Sequence, residues 1–472
     1  MFGERVYLLS PAWVKTTILG LYGLYERVKR RGTFYRVHYY RLSNLLRASL
    51  GEVEQYQSDR LRELLLEAYD YSPYYRDIFY KKSIERDNLL EVEPKLILQK
   101  LPYLEKKDLR ANLSSITSAN PRRRARAVVS TSGTTGSPLQ VLFDSESRQA
   151  TFAEWRRYYD WLGLPKTFKS VRFSGRIIVD PTTKSPPFWV YNWAERQLFM
   201  STYHLKEDYL AYYVDKLNKY KPDFIDGYPS AIYLLARFIL QSKTKISFKP
   251  IAISVTAESF LDYQRAAIES AFGCKAYNQY ASSEGAPWIV ECMEGNYHLW
   301  IDTGVFQFKK KYALGNDGYV AELVLSSFRN FKVPLIKYRI GDCVVLNHKS
   351  SVCACGCPLP FVKAIVGRED DILYTYERGY VGRLDPVYKG IKGIIQSKII
   401  QYSPQKLEVL LVVDENFNSK EELRLKRNLQ DRLGGVDLHL NRVNSIPLGK
   451  AGKLKSVERR FSIDEFDETR SG

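Results

Sequence analysis

The chain has 472 residues, 45% of them hydrophobic and 14% aromatic, with 71 Lys+Arg against 53 Asp+Glu and a net charge of +18. Such length and apolar content allow two or three domains with a large core and exclude intrinsic disorder. No apolar run reaches the roughly 18 uninterrupted residues of a membrane span, the N-terminus lacks the order of a secretory signal, and the positive charge favours anionic partners.

Residues 1–120 read as mostly helical, with short polar breaks. Ser10-Pro11 is a helix start, and Val14, Ile18, Leu21, Tyr25 and Val28 recur at helical spacing. This segment, residues 11–31, ends in the cluster Lys29-Arg30-Arg31, as an interfacial helix does. It either docks on a membrane surface or packs against its own domain. Leu61 to Tyr69 is rich in helix formers, and Tyr71-Ser72-Pro73 interrupts it.

A second basic cluster, Arg122-Arg123-Arg124-Ala125-Arg126, precedes the strand-like run Ala127-Val128-Val129. There follows Ser130-Thr131-Ser132-Gly133-Thr134-Thr135-Gly136-Ser137-Pro138, a stretch of hydroxyls and glycines in which backbone N–H groups can face an anion. It has the outline of a phosphate cradle but does not fit the Walker pattern. From about Arg126 to Val366 strand-like and helical runs alternate: Phe248–Val255 as strand, Leu261–Phe272 as helix, Lys275–Tyr280 as strand. That alternation predicts an α/β architecture. After Gly367-Arg368-Glu369-Asp370-Asp371 the pattern restarts with strands at Ile391–Gln401 and Leu407–Val413, a charged helix over 419–434 and a strand at Val436–Val443. These form a small α+β domain with its own start.

Four further motifs carry chemistry. In Tyr280-Ala281-Ser282-Ser283-Glu284-Gly285 a strand-end carboxylate can hold Mg2+ and the aromatic ring can stack on a base. In Tyr338-Arg339-Ile340-Gly341-Asp342 an aspartate at a turn can accept from two ribose hydroxyls. Arg368, at the domain junction, can reach phosphate or ribose oxygens. Near the C-terminus, Gly449-Lys450-Ala451-Gly452-Lys453 offers a mobile cation for a phosphoryl transition state.

In this order the five motifs resemble those of the adenylate-forming superfamily of acyl-CoA synthetases. Tyr74-Tyr75-Arg76, Leu101-Pro102 with Lys106, Gly227-Tyr228-Pro229-Ser230 and Cys353-Ala354-Cys355-Gly356 narrow the resemblance to phenylacetate–CoA ligase-like proteins, particularly the capsular-polysaccharide-biosynthesis branch. The resemblance implies a large N-terminal adenylate-forming domain of mixed β-sheets and helices, residues 1–366, whose first 120 residues are a mostly helical extension. A small mobile α+β C-terminal lid would span residues 367–472. It also implies that a carboxylate attacks the α-phosphate of MgATP, giving an acyl-adenylate from which an amine or thiol then displaces AMP. Thr131, Ser132, Gly133, Thr134, Thr135 and Gly136 would hold the β- and γ-phosphates. Tyr280 would stack on adenine with Ser283 beside it, Glu284 would bind Mg2+, and Asp342 would grip the ribose with help from Arg368. Asp370 would be the hinge, and Lys453 would bridge α-phosphate and carboxylate; Lys450 competes for that role, but Gly452-Lys453 matches the family's Gly-Lys. Ser137 and Leu139 stand where many relatives have a phosphate-loop lysine, so pyrophosphate charge would be less well stabilised or would fall to Arg126, and Ala281 replaces the usual glycine.

Four of the six cysteines make a separate pattern: Cys292, Cys353, Cys355 and Cys357, with His298 six residues after the first. Cys292, His298, Cys353 and Cys355 form a Cys3His set suited to structural zinc, with Cys357 as the alternative to Cys355. A reducing cytoplasm suits these thiolates better than disulfides. The acyl pocket should draw on Arg172, Arg176, Trp189, Tyr191, Asn192 and Tyr228, whose arginines and aromatics suit a polar or sugar-like acid.

The expected function is ATP-dependent activation of a small-molecule or glycan carboxylate. The acceptor is an amine, giving amide modification of a sugar in surface polysaccharide assembly, or coenzyme A. A catalytically inactive scaffold of the same fold is the alternative of another class. Charge and cysteines also suggest a nucleic-acid-binding protein, but no binding motif accompanies them. The expected location is the cytoplasm, at the inner face of the membrane if residues 11–31 dock there.

Overall fold

In the computed structural model the N-terminal part is helical: α1 (Phe2–Leu9), α2 (Ala12–Arg30), α3 (Thr33–Leu45), α4 (Leu50–Tyr71), α5 (Pro73–Lys81), α6 (Arg86–Glu91), α7 (Pro94–Lys100), α8 (Lys106–Ala111) and α9 (Leu113–Ile116). The structure describes residues 2–130, 139–313, 318–346, 352–368, 372–381, 384–449 and 453–461. A capping box starts α4: the Ser49 hydroxyl accepts from the Glu52 N–H, and the Glu52 carboxylate accepts from the Ser49 N–H at 2.8 Å. Ser72-Pro73 ends it, because proline cannot continue a helix but suits the first position of α5. Val53, Leu61, Leu64, Leu65 and Ala68 form the buried stripe of α4.

The helix α2 has the expected span and an inverted face. Its buried residues are Lys15, Gly20, Gly23 and Glu26. A Cβ on Gly20 would collide with the Trp193 ring, and one on Gly23 with the Asn192 side chain. Trp13, Ile18, Leu21, Tyr22, Leu24, Tyr25 and Val28 point outward, with Trp13 and Val28 each 73% exposed. The helix thus packs on its own domain through small and charged residues, while the apolar stripe seen in the sequence faces away.

The strands β1 (Ala125–Ser130) and β2 (Gln140–Asp144) pair antiparallel around the Ser/Thr/Gly stretch, whose Thr131, Ser132, Gly133, Thr134, Thr135 and Gly136 lie outside the described residues. Next come α10 (Ser145–Trp161), β3 (Ser170–Ser174), β4 (Trp189–Asn192), β5 (Gln197–Ser201), α11 (Glu207–Tyr220), β6 (Phe224–Gly227), α12 (Pro229–Ser242), β7 (Ala252–Val255), α13 (Asp262–Phe272), β8 (Ala276–Tyr280), β9 (Ile289–Glu291) and β10 (Tyr297–Leu299). With β14 (Phe361–Val362) they build a nine-stranded sheet, β14-β10-β9-β8-β7-β6-β3-β5-β4. Its centre, β5-β3-β6-β7-β8, is parallel and its margins antiparallel. A second, antiparallel sheet joins β11 (Gly304–Ala313), β12 (Tyr319–Ser327), β13 (Tyr338–Leu346) and β15 (Ala364–Arg368). The fully buried Arg157 of α10 forms an ion pair with Asp302 and lies over the Trp300 ring at 3.7 Å, tying helix to sheet.

After the short hairpin β16 (Leu373–Thr375) and β17 (Gly379–Val381), a C-terminal sheet of order β20-β19-β18-β21 forms from β18 (Ile394–Ser403), β19 (Lys406–Val413), β20 (Asp437–Arg442) and β21 (Val457–Arg459). The amphipathic α14 (Ser419–Leu433) buries Leu425, Leu429 and Leu433 in the same core. This unit rests on α12: the Tyr233 hydroxyl donates to the Ile394 carbonyl at 2.6 Å, and Arg237 pairs with Asp414 at 3.2 Å. The fold is therefore the expected α/β combination of mixed sheets and helices followed by a smaller α+β unit.

Candidate active site

The site forms where the two main sheets and the C-terminal unit meet. Tyr280 is the last residue of β8, and the chain turns through Gly285 (φ +94°), leaving Glu284 buried. Asp342 lies inside β13 and not at a turn; Gly341, at φ +80°, bends the strand just before it. Register sets Asp342 opposite Arg368 on β15, and the Arg368 Nε reaches Asp342 Oδ1 at 3.0 Å. The Tyr280 hydroxyl donates to Asp342 Oδ2 at 2.6 Å. Burial raises the Asp342 carboxyl pKa, and the Arg368 charge and the Tyr280 hydrogen bond oppose it.

Lys453 enters from the C-terminal unit. Its ammonium lies 5.8 Å from the centre of the Tyr228 ring, and burial lowers its pKa against the attraction of Glu258. It also feels Arg368, Asp342 and Glu284, so residues named from four separate motifs share one electrostatic neighbourhood. Asp370 and Lys450 lie outside the described residues. Ser283 is exposed beside Glu284.

Two charged residues belong to this cluster that the motif analysis does not assign to it. Lys106 arrives because Leu104 bridges to β13: its N–H donates to the Lys337 carbonyl and its carbonyl accepts from the Arg339 N–H, each at 3.0 Å. Burial and then Arg368 lower the Lys106 pKa, while Glu284 and Asp342 raise it. The signal was its place after Leu101-Pro102. Glu258 follows β7 in Thr256-Ala257-Glu258, where Ala257 adopts φ +71°. Its Oε1 accepts from the Leu454 N–H at 2.7 Å and its Oε2 from the Ser230 N–H at 3.2 Å. No motif marks it in the sequence.

The expected pocket residues divide. Tyr228 caps α12 beside Lys453, with Glu258, Tyr203 and Arg176 around it. Desolvation, followed by Arg172, Arg30 and Arg148, lowers the Arg176 pKa. Arg172 instead pairs across the sheet with Asp226, its register partner, at 2.8 Å from Nε. Tyr191 and Asn192 lie on the edge strand β4, Tyr191 packing its ring 5.8 Å from Tyr220 and Asn192 sitting under α2. Trp189 of the same strand packs against Tyr213.

A second constellation stands apart. Cys292 follows β9, His298 lies on β10, and the 353–357 loop brings Cys353 and Cys355, so that all four ligand atoms lie within 4.8 Å of one another. The Cys292 and Cys353 sulfurs are 3.7 Å apart, close to the edge of a tetrahedron with metal–sulfur bonds of about 2.3 Å. His298 Nδ1 lies 3.0 Å from the Leu359 carbonyl, a donor contact that leaves Nε2 directed at Cys355, 3.2 Å away. Burial lowers the His298 pKa and so favours the neutral, ligating ring. Cys357 packs in the apolar core instead. The donor set and its spacing fit zinc.

The chain is 32% identical to protein CapK of Staphylococcus aureus over 98% of its own length and 99% of that protein. It belongs to the CapK family of adenylate-forming ligases. A family model described as the CapK C-terminal domain matches residues 373–460 of this CapK-family chain. It is 25% identical to phenylacetate–coenzyme A ligase of Pseudomonas putida, covering 69% of this chain and 73% of that one. The fold resembles 2-hydroxyisobutyryl-CoA ligase in its postadenylation state, with a TM-score of 0.63 at 16% identity over 90% of this chain and 92% of that one. Anthranilate CoA ligase in complex with anthranoyl-AMP gives a TM-score of 0.51 at 12% identity, over 82% and 79% of the two chains. As a CapK-family member, the chain is an AMP-forming ligase of the phenylacetate–CoA ligase-like class.

Proposed function

We propose that this ligase activates a polar carboxylate, with a glycan uronic acid as the leading candidate, and transfers it to an amine in surface polysaccharide assembly. The convergence of Tyr280, Glu284, Asp342, Arg368 and Lys453 carries the adenylation half of this reading. A substrate carboxylate oxygen attacks the α-phosphorus of ATP and pyrophosphate leaves. Lys453 bridges the carboxylate and α-phosphate oxygens and offsets the charge gathered there. Asp342 accepts from the ribose hydroxyls with Arg368 beside it, Tyr280 stacks on the adenine, Ser283 flanks the base, and residues Thr131 to Gly136 hold the β- and γ-phosphates. Glu284 would hold Mg2+, which would neutralise phosphate charge. The acceptor nitrogen then attacks the acyl carbon, and the bond to AMP breaks.

The second half follows rotation of residues 367–472 against residues 1–366 about Asp370. Arg176 and Tyr228 suit a polar acid, which supports the sugar reading; Arg172, Tyr191 and Asn192 would then shape the pocket wall from behind. Coenzyme A is the second reading for the acceptor, favoured by the phenylacetate–coenzyme A ligase relatives. The Cys292, His298, Cys353 and Cys355 site holds structural zinc, because four protein ligands leave no open position.

The enzyme works in the cytoplasm and docks peripherally on the membrane through residues 11–31. Among the described residues no helix is long and apolar enough to cross a membrane. The outward face of α2, which ends in the exposed cation Lys29 and is followed by the exposed Arg36, Arg41 and Arg47 in the chain, suits the surface of an anionic bilayer.

The deciding experiment is carboxylate-dependent exchange of labelled pyrophosphate into ATP across aryl, fatty, amino and uronic acids. Exchange with a uronic acid supports the glycan reading, and exchange with aryl acids alone redirects it to coenzyme A. Lys453→Ala should abolish exchange while a supplied acyl-adenylate still reacts onward; equal loss of both half-reactions would overturn the role of Lys453. Absence of exchange together with failure to bind ATP by calorimetry would favour an inactive scaffold.

A further inference from the structure

We infer that Glu258 is a positioning residue that docks the Lys453 segment onto the N-terminal domain for adenylation and releases it for acyl transfer. One carboxylate serves two elements that belong to different domains. Oε2 accepts from the Ser230 N–H in the first turn of α12, where the helix dipole favours an anion. Oε1 accepts at 2.7 Å from the N–H of Leu454, the residue that follows Lys453. The bond therefore fixes the backbone one residue from the ammonium that must sit between α-phosphate and carboxylate. The left-handed Ala257, at φ +71°, is an uncommon conformation for a residue with a Cβ, and it directs the next side chain across the domain boundary.

The bond is also reversible by nature. It joins a side chain to a single backbone amide, while the same carboxylate meets the Ser230 hydroxyl on its own domain, and the other groups around it are Lys453 and, beyond that, Tyr228, Arg176, Arg368, Asp342 and Glu284. Burial lifts the Glu258 carboxyl to about 7, so its charge is easily altered near neutrality. When the C-terminal unit leaves, Leu454 exchanges its carboxylate acceptor for water and Lys453 is withdrawn with it.

The inference rests on the adenylation role proposed for Lys453. Its test is Glu258→Ala, with Glu258→Gln as the variant that keeps one acceptor oxygen. Glu258→Ala leaves two N–H groups without their carboxylate and should slow pyrophosphate exchange roughly tenfold. The KM for ATP and the reaction of a supplied acyl-adenylate should hold near wild type, and Glu258→Gln should recover most of the exchange. Tryptic cleavage after Lys453, in the presence of AMP alone and well below the melting temperature of either protein, should accelerate in Glu258→Ala. Equal slowing of both half-reactions, or unchanged cleavage after Lys453, would overturn the inference. Exchange that persists in Lys453→Ala would instead refute the adenylation role, and cleavage after Lys453 would still judge the docking contact.

Discussion

Both oxygens of Asp342 are engaged, by Tyr280 on one side and Arg368 on the other, and in the proposed role ribose hydroxyls would use the remaining lone pairs or displace one of these partners. The two donors keep a buried carboxylate satisfied. Asp342→Ala should therefore raise the KM for ATP by at least roughly tenfold, the scale of one hydrogen bond to a charged group. ATP titration of pyrophosphate exchange measures it, and an unaltered KM would remove Asp342 from the nucleotide site. Glu258 has a pH signature as well. Its carboxyl stands at about 7 in the folded protein, against 4.5 for the ordinary group, so the folded state binds the proton more tightly. Its contribution to stability is whole below the ordinary value and fades as the pH climbs through about 7. The melting temperature of the wild type relative to Glu258→Gln should fall across that window.

Among elements, α2 and the β9–β10 hairpin show how one local pattern takes different meanings. The periodicity of Val14, Ile18, Leu21, Tyr25 and Val28 specifies a helix equally well whichever way it faces. The choice comes from Gly20 and Gly23, which let the helix backbone approach Trp193 and Asn192, and from Glu26, which pairs with Arg30 and Arg148 at 2.8 Å each. In the hairpin, Cys292 and His298 are brought to Cys353 and Cys355 by pairing of β10 with β14. Cys353→Ser should lower bound zinc from one equivalent, measured by elemental analysis of the purified protein, and lower the melting temperature. Full zinc content in that variant would reject the ligand set.

At the scale of the whole molecule, a net charge of +18 and an outward apolar helix would act together in the proposed docking on a membrane surface. Apolar insertion and electrostatic attraction to anionic headgroups add, and the second is screened by salt. The chain should co-sediment with phosphatidylglycerol-containing vesicles far more than with phosphatidylcholine vesicles, and less at high salt. Replacing Trp13, Leu21 and Val28 by serine should abolish this without lowering stability, since all three are exposed. Failure to co-sediment with either vesicle, or self-association of the chain through this face in sedimentation analysis, would refute the bilayer as its partner.

Local preference was legible wherever it agreed with the fold. The predicted strand at Lys275–Tyr280 appears as Ala276–Tyr280, the helix over 419–434 as Ser419–Leu433, and the break at Ser72-Pro73 falls between α4 and α5. Short-range chemistry suffices there: period, caps and proline act within a few residues. The order of motifs likewise marked Tyr280, Glu284, Asp342, Arg368 and Lys453. What no local pattern contains is the meeting of distant segments. Lys106 joins the site through a backbone bridge to β13, and Glu258 through contact with Leu454 near the C-terminus. Arg172 is drawn to Asp226 because parallel pairing makes them neighbours, and α2 turns its apolar side outward because small residues fit Trp193 and Asn192. Hydrogen-bond register, close backbone approach and desolvation of charge arise only between elements remote in the chain, and they settle which legible residues work together.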